Sequence, residues 1–264
     1  MEQQAIGQRL RQWFSLEGQT ALVTGAARGL GHAIAVALAK AGASVAAVDI
    51  GDMTPLVKEV EDLGVTCRAR TADLTGLSPD AAEGLIAWAN KGDSPATILV
   101  NNAGVIRRGP ALDEAADQSW RDVLDLNLST PYLLARAFAG KAITEGRAAS
   151  IINMGSVNSF QGGLHVSSYA AAKHGLLGLT RALANEWAPD GIRVNAIAPG
   201  YMETVLTTAH REDADRAARM LSRIPLGRWG VPEDLAGAAV FLASNASAYV
   251  TGSVIGVDGG WLAR

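Results

Sequence analysis

Seven short apolar runs alternate along this chain with segments of helical periodicity. The runs cover residues 20–24, 44–49, 65–70, 97–101, 149–155, 192–198 and 253–257. Most are almost continuously apolar, as in strands buried on both faces. Helical patterns lie between them, at 33–40, 79–90, 120–139, 169–187, 203–223 and 232–242. A helix between two strands makes a crossover connection, and a crossover leaves the strands parallel. The expected fold is therefore a single α/β domain, doubly wound (Rossmann-type), with a seven-stranded parallel sheet flanked by helices. No linker, repeat or low-complexity segment divides residues 20–264. Residues 1–19 carry an amphipathic stretch (Ala5, Ile6, Leu10, Trp13, Phe14) and are read as an N-terminal helical extension. A transit peptide is the competing reading, weakened by Glu2 and the scarcity of serine.

Ligands of such sheets gather beyond the carboxyl ends of the strands. The first strand runs into Gly25-Ala-Ala-Arg28-Gly29-Leu30-Gly31 and then a helix. Glycines accept positive φ and let backbone N–H groups approach a pyrophosphate at the helix N-terminus. The second strand ends at Asp49, followed by Ile50, about 20 residues on, where an acid can accept hydrogen bonds from a ribose. An acid there repels a 2′-phosphate and selects NAD over NADP. Arg28, beside the turn, pulls the other way. Asp49 also has a structural alternative, capping the turn at Gly51. Asp73 and Leu74 follow the third strand, where a polar side chain would touch an adenine ring or cap the next helix. Ser78-Pro79 reads as the N-cap and first residue of that helix. Asn101-Asn102-Ala103-Gly104 is a small-residue turn against which a cofactor can lie. Pro199 and Gly200 follow the sixth strand, and Thr204 is placed to bond a nicotinamide amide.

The fifth strand ends at Ser156. Thirteen residues later Tyr169 opens a helix, and Lys173 stands at i+4 on the same face. A phenol titrates near ~10, and an ammonium within about 4–6 Å lowers that value. The pair thus reads as a proton-transfer group, with Ser156 bonding the oxygen that gains or loses the proton. The same spacing also occurs on helices as a packed ring and a solvated charge, so its weight comes from the other strand ends. Asn127 sits inside an apolar helical pattern and needs partners, which points to a polar network or a helix distortion. Arg107 and Arg108 either grip a substrate carboxylate or belong to a solvated loop. Phe160, Gln161 and His165, between Ser156 and Tyr169, read as a substrate-side wall. The charged segment 203–223 reads as exposed and helical, able to act as a lid.

Composition narrows the partners. A net charge of −3 without a basic cluster argues against nucleic acid or an anionic membrane. Cys67 stands alone, and His32, His165, His174 and His210 show no ligand spacing, so neither a disulfide nor a metal is expected. No run of about 18 apolar residues is present, and a cytoplasmic protein is expected.

Taken together, Thr24-Gly25-x3-Gly29-x-Gly31, Asn101-Asn102-Ala103-Gly104, Asn127, Ser156, Tyr169-x3-Lys173 and Pro199-Gly200 give the chain its resemblance to the short-chain dehydrogenase/reductase family, over nearly its whole length. The resemblance implies Tyr169 as general acid/base and Ser156 as holder of the carbonyl or hydroxyl. It implies Lys173 on the nicotinamide ribose and Asn127 on a proton-relay water, with no metal. The stretches 14–18, 101–108, 159–163, 184–187, 195–202, 223–230 and 257–264 resemble more closely the family's sugar-acid dehydrogenases. Those after Ser156 and at 205–220 depart from that pattern. The resemblance implies a secondary alcohol or ketone of a sugar acid as substrate and a homotetramer; NAD as cofactor rests on Asp49, since the ending Val48-Asp49-Ile50 is more plainly NAD-like than in some members. Another substrate of the family (a gluconate derivative, a polyol or a 3-oxoacyl chain) and a non-catalytic dinucleotide-binding protein are the alternatives.

Overall fold

The computed structural model describes residues 12–92, 94–204, 207 and 213–264. Among these, the strands are β1 (Thr20–Thr24), β2 (Ser44–Asp49), β3 (Cys67–Thr71), β4 (Ala96–Asn101), β5 (Ala149–Met154), β6 (Ile192–Pro199) and β7 (Val254–Val257). They form one sheet in the order β3-β2-β1-β4-β5-β6-β7, each pair parallel. The order reverses between β1 and β4, which opens a crevice at the carboxyl ends of those strands.

The helices are α1 (Gly29–Lys40), α2 (Thr54–Glu61), α3 (Pro79–Ala89), α4 (Ala116–Leu124), α5 (Thr130–Thr144), α6 (Ser167–Trp187), α7 (Ala214–Leu221) and α8 (Ala236–Ala243). They cover the sheet from both sides. Ala21 and Val23 of β1 pack into one apolar cluster with Ile34, Leu38, Leu56 and Leu242. Leu22, between them, packs into the opposite cluster with Leu85, Ile86, Leu134, Phe138 and Leu183. Successive strand residues point to opposite faces, so a strand that buries both must be apolar throughout. No helix among the described residues is long and apolar enough to cross a membrane.

The structure departs from the sequence reading in two places. Helix α2 lies in a stretch given no helix. It is short and buries only Leu56 and Val60, one turn apart, too few apolar positions to register as a pattern. The single helix expected over 120–139 is two helices joined by a π-turn, Asp125–Ser129. Pro131 has no N–H to offer the carbonyl of Asn127, and Asn127 Nδ2 itself donates to the Val123 carbonyl at 3.0 Å. Of the segment 203–223, α7 is the described helix, while 205–206 and 208–212 (with His210) lie outside the described residues. Most of the N-terminal extension, 1–11, also lies outside them. Its described end is a helical turn at 12–14, followed by the wholly buried Leu16.

Candidate active site

The turn after β1 is built for close approach. Gly25 has φ +66°, and a Cβ there would fall 2.8 Å from Asn102 Nδ2 and 2.9 Å from Ala103 Cα. A Cβ on Gly31 would strike the Gly25 carbonyl. Gly29, at φ +59°, instead faces open space, with Thr204 Cγ2 the nearest atom at 3.9 Å. Arg28 precedes α1 without capping it, and the first turn, which includes Leu30, holds no acid. The leading N–H groups of α1 and its positive dipole end are thus suited to an anion.

Asp49 closes one side of this cradle. Its Oδ2 accepts from the Ala27 N–H at 3.0 Å and its Oδ1 from the Gly51 N–H at 2.8 Å. The structural alternative for Asp49 is therefore real, and the carboxylate is partly exposed with lone pairs to spare. Ile50 beside it is 71% exposed, and Arg28 is exposed at the turn. On the other side, Pro199 ends β6. Gly200 donates to the Val257 carbonyl and lies so close to Asp258 Cα that a Cβ would come within 2.6 Å. These residues fit a dinucleotide: the open N-terminus of α1 at Gly29 would suit its pyrophosphate, and the spare lone pairs of Asp49 would suit a ribose.

Other expected cofactor residues need correction. The Asn101 side chain is buried between strands, donating to Asn153 Oδ1 at 2.9 Å, and Asn153 donates on to Thr180. That bond links the paired residues Asn101 and Asn153 across β4 and β5 and takes up the Asn101 amide. Its neighbour Asn102 does the crevice work, donating to the carbonyls of Thr24 (3.0 Å) and Gly25 (2.9 Å). Thr24 Oγ1 in turn accepts from the backbone N–H groups of Asn102 and Ala103. Strand alternation could have separated the two asparagines had the strand end been known. Leu74 is 4% exposed and its side chain belongs to the core, because Thr130 pins its carbonyl at 2.9 Å. Asp73 is exposed and caps its own turn at Thr75, not α3, whose N-cap is Ser78 as expected.

Ser156 is fixed by a reciprocal cap. Its Oγ accepts from the Asn158 N–H at 3.1 Å, and its own N–H donates to Ser159 Oγ at 3.1 Å. Burial pushes the Tyr169 phenol above its ordinary pKa, while the Ser156 hydroxyl and the Arg108 charge pull it down. Lys173 is 5% exposed, and its Nζ donates to the Met154 carbonyl at 2.7 Å, 5.5 Å from the centre of the Tyr169 ring. Burial lowers its pKa to about 8. The Lys173 ammonium thus donates to Met154 while standing beside the Tyr169 ring, and Arg108 adds a further positive charge acting on the phenol.

Asn127 is wholly buried. Its Nδ2 donates to Val105 and Val123, and its Oδ1 is buried without a hydrogen-bond partner among the described residues. Gly104 leaves the room: a Cβ there would lie 2.5 Å from that Oδ1. Both sequence expectations for Asn127, a polar network and a helix distortion, are thus met. The bond to Val105 anchors one end of the arginine segment. The other end is anchored where Gly109 donates to the His165 carbonyl at 3.0 Å. Arg107 and Arg108 are exposed between these anchors. His165 takes the left-handed conformation (φ +60°), and it, Phe160 and Gln161 lie on the facing loop, Phe160 47% exposed. A further wall was not foreseen. Val157, Ile224 and Trp261 form a buried apolar cluster with Tyr201, Leu221 and Leu262 next to Ser156. The Arg-Trp and Gly-Gly-Trp stretches near residues 229 and 261 were its only trace in the sequence.

A glycine cradle at the sheet's switch point, with a tyrosine–serine pair at the next strand end, defines a nicotinamide-dependent oxidoreductase. The chain belongs to the short-chain dehydrogenase/reductase family, whose members of this kind act on CH–OH groups. The family model described as Enoyl-(Acyl carrier protein) reductase matches residues 25–262. The chain is 48% identical over 253 residues to the 2-dehydro-3-deoxy-D-gluconate 5-dehydrogenase of Dickeya dadantii, covering 95% of this chain and 98% of that one. It resembles a crystal structure of a proposed 2-deoxy-d-gluconate 3-dehydrogenase from Agrobacterium tumefaciens with bound NADP, at 49% identity and a TM-score of 0.89, covering 95% and 99% of the two chains. A gluconate 5-dehydrogenase from Burkholderia cenocepacia in complex with NADP and tartrate is 35% identical with a TM-score of 0.89, covering 97% and 99%.

Proposed function

We propose that this protein is a 2-dehydro-3-deoxy-D-gluconate 5-dehydrogenase, interconverting a secondary hydroxyl and a ketone of a deoxy sugar acid. The observation that carries the reading is the Tyr169 phenol set between the Ser156 hydroxyl, the Lys173 ammonium 5.5 Å from its ring and the Arg108 charge. It supports a reading with Tyr169 as proton donor, Ser156 as oxygen holder and Arg108 as carboxylate partner. In the reductive direction Tyr169 gives its phenolic proton to the carbonyl oxygen while Ser156 donates a hydrogen bond to that oxygen. The nicotinamide, when bound, supplies the hydride to the carbonyl carbon. Lys173, held on Met154, reaches a ribose hydroxyl. Asn127 Oδ1 accepts from the water that returns a proton toward the site. Arg108, with Arg107 beside it, bonds the substrate carboxylate. An exposed loop position suits an ion pair that forms only with substrate.

NAD is the cofactor of this reading, since a carboxylate at Asp49 repels a 2′-phosphate. A second reading, NADP, is favoured by the exposed Arg28, by the two backbone hydrogen bonds that already occupy Asp49, and by the NADP in two similar structures. Homotetramer assembly and a cytoplasmic site belong to the same proposal and rest on the family resemblance. The test is a reduced-cofactor oxidation panel with NADH and NADPH over keto sugar acids, neutral keto-polyols and a 3-oxoacyl thioester. A kcat/KM for a keto deoxy sugar acid at least ~10-fold above the others is expected, equivalent to about 1.4 kcal/mol. Turnover confined to the thioester or the polyols would overturn it.

A further inference from the structure

The chain that leaves α7 is held from one side by residues 258–264. Past Leu221 the backbone closes tight turns, with Arg223 donating to Met220 and Ile224 to Leu221. The Arg223 guanidinium lies 3.9 Å from the centre of the Trp261 ring. Arg264 Nη1 donates to the Ser222 carbonyl at 2.8 Å. Leu226 donates from its backbone to the Gly259 carbonyl at 3.1 Å. Gly259 and Gly260 have φ of +63° and +88°, and a Cβ on either would collide with Ile224 or Pro225, at 2.8 and 2.9 Å. Asp258 sets the geometry by accepting from the N–H groups of Gly260 and Leu262, both at 2.9 Å. The far side of the clamp is the site itself. Ile224 and Trp261 pack on Val157, the residue after Ser156, and Tyr201 meets the Trp261 ring edge-on at 4.6 Å.

We infer that Trp261 and Arg264 are positioning residues for the substrate side of the site. They grip residues 222–226 and press Ile224 against Val157, so that the wall beside Ser156 and the root of α7 share one position. None of these side chains reaches the glycine turn or Asp49, so the clamp acts on substrate and not on the dinucleotide. The inference about substrate rests on the function proposed above; the contacts themselves do not.

The experiment uses the full chain with Arg264→Ala, Arg223→Leu and Trp261→Phe, and with Arg264→Lys as the conservative partner. Trp261→Ala is avoided because the ring is 4% exposed and its loss could unfold the cluster. Hydrogen exchange is followed for the amides of residues 213–224, NADH affinity by fluorescence titration, and KM and kcat with the keto sugar acid found in the panel. Exchange in 213–224 should accelerate in Arg264→Ala and Arg223→Leu. KM should rise roughly three- to tenfold, as expected for one cation–π or hydrogen-bond contact, while the NADH affinity stays within twofold, about the size of an indirect effect. Arg264→Lys should recover part of both. Unchanged exchange overturns the clamp, and faster exchange with an unchanged KM overturns its link to the substrate wall. If the parent turns over no keto sugar acid, the proposed function falls while the exchange result still decides the clamp.

Discussion

Asp49 Oδ2 stands 3.0 Å from the backbone nitrogen of Ala27, so the carboxylate that ends β2 also holds the glycine turn that follows β1. One side chain therefore shapes the cradle and, in the proposed function, also discriminates at the ribose. Asp49→Ala removes both backbone bonds. It should lower stability by about 2 kcal/mol, the usual loss for hydrogen bonds to a charged acceptor. The kcat/KM ratio should shift toward NADP by about tenfold or more, because the repelling charge is gone while Arg28 remains. Melting temperature and paired steady-state assays measure the two effects separately. A lower melting temperature with an unchanged cofactor ratio would leave Asp49 with the turn alone.

Tyr169→Phe removes the proton donor but keeps the ring on which Lys173 Nζ rests at 5.5 Å. Turnover should fall by about 10²–10⁴-fold, the range for general acid–base groups. NADH binding, followed by fluorescence, should persist. Near-normal activity would remove Tyr169 from the chemistry.

Gly104 and Asn127 should be coupled. Gly104→Ala places a methyl 2.5 Å from Asn127 Oδ1, so the amide or the Val105 carbonyl it holds must move. Overpacking of this kind costs about 1–3 kcal/mol. The effect should fall on kcat more than on dinucleotide affinity, and a crystal structure of the variant should show the π-turn displaced. A variant with parental kcat would show that Asn127 need not stay in place.

Arg108 and Arg107 should behave differently. Arg108 acts on the Tyr169 phenol electrostatically, and Arg107 shows no such influence. Arg108→Ala should therefore raise KM for anionic substrates by roughly tenfold, about 1.4 kcal/mol. It should also move the basic limb of the kcat profile to higher pH, since a charge that favours the phenolate is removed. Arg107→Ala should raise KM and leave the profile in place. Identical profiles for both variants would return the pair to a solvated loop.

Lys173 gives a stability signature. Its folded pKa is lowered to about 8, below the unfolded value of ~10.4. Between these values the unfolded chain keeps a proton that the folded protein has released, so stability rises with pH across that window. Below about pH 8 the cost of burying the ammonium is present in full. Lys173→Met abolishes this dependence. The parent should gain on the order of 2–3 kcal/mol relative to the variant between pH 8 and 10, while the raised pKa of Tyr169 acts in the opposite sense above ~10. Calorimetry at several pH values reads the difference, and a constant offset between the two proteins would contradict it.

The sheet and its strand ends were legible in the sequence because the signals are local. A strand buried on both faces must be apolar at every position, and Tyr169 and Lys173 share a helix face by spacing alone. The glycines at 25, 29 and 31 are likewise dictated by backbone conformation and close approach. Tertiary structure decided what depends on partners distant in the chain. It turned Asn101 inward onto Asn153 and gave the crevice to Asn102. It put the Leu74 side chain in the core, gave Asp49 a bond to Ala27 twenty-two residues back, and seated Lys173 on the Met154 carbonyl beside the Tyr169 ring. It also drew residues 157, 224 and 261 into one wall. Periodicity fixes which face of an element a residue occupies. The direction of a hydrogen bond, the charge nearest a phenol and the packing of three separate loops are set only when the whole chain has closed around them.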